Sequence, residues 1–203
     1  ADGVRRAASL PAVLKWPNDV LVNDRKFCGI LSERVDTSGG PACVVGIGIN
    51  VSLAEEQLPV PSATSLAIAA RALGYVQPSR TAVIATVLAA FELLYGRWEA
   101  QAGNGASLAA SYAERCDTLG RPVRVVLSEQ RSVEGIADRL DEDGRLVVRT
   151  DSGSAVYGAG DVVHRVDSHP AKEREDRPCL GVRRRLRPRL HTEQHLSDGM
   201  AAE

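Results

Sequence analysis

Residues 15–33 read KWPNDVLVNDRKFCGILSE, an apolar, strand-like run interrupted by a tryptophan, a proline, an Asn-Asp pair and basic residues. A Trp-Pro break separates two short strand-like pieces, residues 12–15 and 20–22. Pro17 cannot donate to a sheet ladder, so it marks an irregular segment or an edge. Asn23-Asp24-Arg25 is a turn signal, and residues 26–35 read as the returning strand of a hairpin. That hairpin folds Lys26 back toward Asn18 and Asp19. A lysine held near an Asn-Asp pair at a sheet edge can meet negative oxygens. Taken alone, Pro-Asn-Asp reads first as an ordinary turn.

Residues 42–51, ACVVGIGINV, read as a buried strand. Gly46 and Gly48 alternate and so share a face. Either a ligand lies on the sheet there or a helix packs tightly against it. No third glycine opens a helix, which argues against a dinucleotide fingerprint. Asn50 either caps locally or donates to a phosphate or an adenine edge. Ser62 or Thr64 caps a helix running to about Leu73, and Ser79 caps a longer one. Val83, Val87, Phe91, Leu94 and Trp98 recur at helical spacing and define its apolar face. A third helix near residues 107–117 presents Leu108, Tyr112 and Cys116.

From Leu119 onward, five short strands separated by turns predict a small β-barrel. The expected fold class is therefore α+β: a partial mixed sheet with packed helices, followed by the barrel. Residues 1–118 form the first domain and residues 119–166 the second. Residues 167–203 are polar and lack a sustained apolar face, as in a disordered tail. Its Arg183, Arg184, Arg185, Arg187 and Arg189 form either a solvated run or a contact to nucleic acid or a membrane surface.

Composition narrows the function classes. A 203-residue chain holds one domain or one plus a small satellite. A net charge of -1 gives no pointer to a polyanionic partner. Cys28, Cys43, Cys116 and Cys179 form no C-x-x-C pair, which argues against zinc and a disulfide framework and for a reducing cytoplasm. His164, His169, His191 and His195 all lie late, so a Ser-His-Asp constellation has no support, nor has a metal cluster. No apolar run reaches the roughly 18 residues of a membrane helix. The start, ADGVRRAASL, lacks an apolar signal core and an initiator Met, as expected of a processed chain or one cut from a longer one.

Three motifs now stand in order: Lys15-Trp16-Pro17-Asn18-Asp19, then residues 25–31 (RKFCGIL), then Gly46-Ile47-Gly48-Ile49-Asn50. Together they resemble the biotin protein ligases. The segment after Leu119, with Arg121-Pro122-Val123 near its start, looks like the SH3-like carboxy-terminal domain of that family. The resemblance covers roughly residues 1–166.

It implies a ligase that joins biotin to ATP, with Mg²⁺, to give biotinyl-5′-adenylate. The enzyme then passes biotin to a lysine of a carboxylase's biotin carboxyl carrier domain. By resemblance Lys26 and Asp19 are catalytic, with Lys26 meeting the reacting carboxylate and phosphate. Lys26, Gly29, Ile30 and Gly48 contact biotin, and Asn18, Asn50 and Arg165 contact the nucleotide. No metal ligand of the protein is implied, and the setting is cytoplasmic. No helix-turn-helix precedes the motif, so DNA is not expected as a partner; nor is a membrane, given the short apolar runs, and a homodimer is compatible. The family's G-R-G-R-x-x-R loop has no counterpart in these residues. The expectation is a chain that begins partway through the catalytic domain and is weakly active alone. The alternatives are a lipoate-ligase-like acyl-adenylate enzyme, or a binding module built from the barrel and the Arg-rich tail.

Overall fold

The computed structural model describes residues 1–164; Arg165, Cys179 and the expected tail lie outside the described residues. Helix α1 (Asp2–Ala8) leads into β1 (Val13–Lys15), β2 (Asp19–Val22), β3 (Arg25–Thr37) and β4 (Gly40–Ile49). These four strands form one antiparallel sheet in sequence order. The β2–β3 turn has positive φ at both Asn23 (50°) and Asp24 (59°). That geometry matches the strand twist, and Asn and Asp tolerate it, so the hairpin register is fixed locally.

The expected mixed sheet is corrected: among the described residues the ladders are antiparallel, and parallel pairing is confined to the isolated bridges Leu14–Cys116 and Lys26–Ala63. One face of the sheet is covered by helices α1, α2 (Leu66–Ala72) and α3 (Arg80–Ala100). Val4, Leu10, Val20, Val22, Phe27 and Leu66 form the core of that side. Gly3 permits the closest approach, because a Cβ there would lie 2.5 Å from the Cα of Val87 on α3.

Three expectations change. Strand β4 is apolar but exposed, with Val44 at 56% and its neighbour Leu31 at 69%. It is an edge strand, and no described element covers its other face. The cap of α2 is Ser65, whose hydroxyl accepts from Ile68 N. Ser62 and Thr64 are instead tied to β3, through Lys26 N–H to Ser62 O and Thr64 N–H to Lys26 O. Helix α4 (Ala106–Ala113) ends before Cys116, which leaves it to bridge Leu14.

Ser79 caps α3 as expected, accepting from Ala82 N. The helix outruns the seven-residue α1 packed on it, so Phe91 stays exposed. By length and composition α3 is also apolar enough to cross a membrane, contrary to expectation, although it contains Glu92, Arg97 and Glu99.

The second sheet contains β5 (Pro122–Ser128), β6 (Arg131–Leu140), β7 (Leu146–Thr150), β8 (Gly153–Tyr157) and β9 (Asp161–His164). Their order is β8-β7-β6-β5-β9, all antiparallel. The end strands β8 and β9 do not pair among the described residues, so the ladders form an open sheet. Its core contains Val123, Val125, Ala137, Leu146, Val148 and Val162, together with Trp16 from the first motif.

Candidate active site

The β2–β3 ladder contains a bulge. Val20 pairs with Cys28 and Leu21 with Lys26, leaving Phe27 as the extra residue. Residues 26 and 29 would face opposite sides of a regular strand. The bulge changes this: Phe27 and Cys28 both enter the helix-side core, and Lys26 and Gly29 share the open face. A Cβ on Gly29 would lie 3.3 Å from Lys26 Nζ.

Asp19 is the register partner of Gly29 and joins them. Lys26 Nζ lies 2.5 Å from Asp19 Oδ1, and Lys15 Nζ lies 3.8 Å from Oδ2. The Asp19 side chain is 13% exposed and that of Lys26 48%. Gly48 pairs with Gly29 across β3 and β4, so a stretch without side chains runs from the charged group over the sheet. A Cβ at Gly48 would meet only the Gly29 carbonyl, at 3.8 Å.

Lys15, Asp19 and Lys26 form one wall of a cleft of about 440 Å³. Asp161 and His164 on β9 contribute the other. Burial lowers the His164 pKa below its ordinary 6.5, and the charges of Arg121 and Lys15 act in the same direction. Asp24, Asp117 and His164 bring ligand atoms within 4.8 Å of one another. Arg121 already bridges the two carboxylates, donating to Asp24 at 3.0 Å and to Asp117, so a guanidinium supplies the positive charge. Next to the site, burial pushes the Cys28 thiol up to about 11, which makes it an inert core group.

The structure thus brings Lys26, Asp19, Gly29 and Gly48 together. Asn18 lies beside them, its amide donating to Ile30 O at 2.8 Å. The Ile30 side chain packs into the helix-side core, leaving its backbone as the part nearest Asn18. The Asn50 side-chain amide donates to Thr64 O, and its backbone carbonyl accepts from Leu66 N–H. It lines a second cleft with Arg80 and Val83, and its backbone N–H donates to Phe27 O, next to Lys26. Arg165 lies outside the described residues. Sequence reasoning gave no role to Lys15 or His164. The signal for Lys15 is its register: a three-residue loop places it directly opposite Asp19.

Residues 3–50 match the biotin/lipoate A/B protein ligase family, and residues 118–165 match the biotin protein ligase C terminal domain. A biotin–[acetyl-CoA-carboxylase] ligase of Mycobacterium tuberculosis is 39% identical over 151 residues, covering 74% of this chain and 52% of that protein. The chain belongs to the biotin protein ligase family. A ligase of the same name from Paracoccus denitrificans is 31% identical, covering 73% of this chain and 61% of its own length. The chain therefore spans little more than half the length of these relatives. The apo biotin protein ligase of Aquifex aeolicus superposes with a TM-score of 0.64 at 25% identity, over 80% of this chain and 69% of that one. The same enzyme in complex with biotin and ATP gives 0.62 at 25% identity, over 80% and 66%.

Proposed function

We propose that this chain carries the reaction face of a biotin ligase. ATP activates the biotin carboxylate as biotinyl-5′-adenylate, and biotin then passes to a lysine of a carboxylase carrier domain. The observation that carries the proposal is the Lys26–Asp19 pair beside the Gly29–Gly48 trough, in a chain whose relatives bear that ligase name.

In the first step a biotin carboxylate oxygen bonds to the α-phosphorus of ATP, and pyrophosphate leaves. Two anions meet, so a cation is needed where their charge concentrates. Lys26 supplies it: its ammonium is compact, half exposed and free to rotate from Asp19 onto substrate oxygens. Mg²⁺ accompanies the triphosphate as part of the substrate. In the second step a neutral lysine amine attacks the acyl carbon and AMP leaves. Asp19, released by Lys26, orients that amine and takes its proton. The glycine trough accommodates biotin, while the Asn18 amide oxygen and Arg165 meet the nucleotide.

On the same proposal, residues 1–118 belong to the catalytic domain, residues 119–166 form an SH3-like carboxy-terminal domain and residues 167–203 a tail. The free thiols Cys28, Cys43 and Cys116 are in keeping with the cytoplasm.

The test is biotin-dependent ATP–pyrophosphate exchange, run on the chain alone and with the amino-terminal half of the Mycobacterium tuberculosis relative added. Exchange driven by biotin in either case is the expected result. Exchange driven by lipoate instead would move the chain to the lipoate ligases, and no exchange with either acid would overturn the proposal.

A further inference from the structure

The tryptophan of the first motif does not face the reaction side of its own sheet. Trp16 is 3% exposed and belongs to the core of the second sheet, among Val123, Ala137, Leu146 and Val162. Its indole N–H donates to Gly144 O at 3.1 Å, in the turn between β6 and β7. That turn is itself fixed: Asp141 accepts from the backbone N–H groups of Asp143 and Arg145 and from the Arg145 side chain.

The backbone of the same loop is held at each residue. Trp16 N–H donates to Thr118 Oγ1 at 3.0 Å, and Thr118 is fully buried and also 3.0 Å from His164 Nε2. Pro17 O accepts from the Tyr112 hydroxyl at 3.2 Å. Asn18 is tied to Ile30 through both its backbone O and its side chain. The loop ends are Lys15 and Asp19, which face each other in register and carry the charges around Lys26.

We propose that Trp16 is a positioning residue, through which the second sheet sets where Asp19 and Lys26 stand. The inference rests on the ligase reading for its catalytic consequence. Its structural part stands by itself. A short loop anchored at one end in another core cannot move Asp19 independently of that core. The second sheet is then more than a neighbour that lends β9 to the cleft. It fixes the backbone from which the reacting carboxylate projects. Misplacing a reacting group by about 1 Å can cost about a hundredfold in rate.

The test uses W16F, which keeps a buried ring and removes the N–H to Gly144, and T118V, which keeps the volume and removes the acceptor for Trp16 N–H. Two quantities are read on the full chain. One is the pH titration of the Asp19 carboxyl carbon by NMR, without substrate. The other is the split between kcat and KM for biotin in pyrophosphate exchange. The expected result is a shifted Asp19 titration in either variant, with kcat lowered about tenfold to a hundredfold and KM little changed. Unfolding stays cooperative. If W16F does not fold, T118V decides. A lowered unfolding midpoint with the Asp19 titration unchanged would overturn the proposal and leave Trp16 a packing residue. The titration needs no activity, so it decides the inference even if the wild-type chain shows no exchange.

Discussion

Lys26 Nζ and Asp19 Oδ1 lie 2.5 Å apart, yet Asp19 does not depend on Lys26 alone. Lys15 reaches the other carboxylate oxygen at 3.8 Å. This sharing matters for the proposed reaction. The Lys26 side chain is half exposed, so its ammonium can turn from Asp19 toward substrate oxygens. Asp19 then keeps one cation beside it while it handles the incoming amine.

Lys26→Gln should therefore damage adenylate formation most. Loss of one preorganised group aimed at developing negative charge costs roughly a hundredfold to a thousandfold. Asp19→Ala should instead slow transfer of biotin to the carrier more than it slows adenylate formation. The two half-reactions must be measured separately, by pyrophosphate exchange and by transfer from preformed adenylate. Loss confined to adenylate formation in Asp19→Ala would count against its role with the amine.

Gly48→Val tests the trough. The glycine has open space above it, so a larger side chain fits the apo fold. It would, however, occupy the stretch of sheet next to Gly29 on which biotin is proposed to lie. The expected outcome is an unfolding midpoint close to wild type and a KM for biotin raised at least about tenfold. An unchanged KM would remove biotin from this face.

Much of this was legible in the residues. Asn23-Asp24-Arg25 announced the turn, which the structure tightens to Asn23-Asp24 by starting β3 at Arg25, and the turn delivers Lys26 to Asp19. The five late strands were visible because turn residues separate them. The bulge was harder to read, although adjacent Phe27 and Cys28 between Lys26 and Gly29 break the alternation that a plain strand would keep. The exposure of β4 was not legible. Apolar residues predict burial only if another element arrives to cover them, and that is a fact of topology. Asn50 was ambiguous for a similar reason: its hydrogen-bond partner, Thr64, lies in a loop whose path depends on the bridge to Lys26. The role of Trp16 was hidden because its partners are more than a hundred residues away.

Phe27→Ala probes the bulge from the core side. The ring is 1% exposed and packed in the helix-side cluster. Truncating a buried Phe costs about 3–5 kcal/mol through lost transfer energy and a residual cavity. Chemical denaturation should register that loss. Any folded variant should also show weaker Lys26–Asp19 pairing, because Phe27 is the residue that holds the bulge in register. A loss below about 1 kcal/mol would mean that the ring does not anchor the strand.

His164 gives the chain a pH dependence whose sign can be worked out. Burial, then Arg121 and Lys15, lower its folded pKa below 6.5, while Asp117 and Asp24 act weakly the other way. The unfolded chain therefore takes up this proton at a higher pH than the folded chain does. Stability from this group is fully present above about pH 6.5 and is lost as pH falls toward the lower folded value. His164→Gln retains a polar partner for Thr118 and removes the titration. Urea midpoints followed from about pH 7.5 to pH 5 should fall less steeply for His164→Gln than for wild type. Carboxylates contribute to both curves alike, so the difference between them isolates the imidazole. Parallel curves would show that His164 has the same proton affinity folded and unfolded, and that the Thr118 contact does not depend on its charge state.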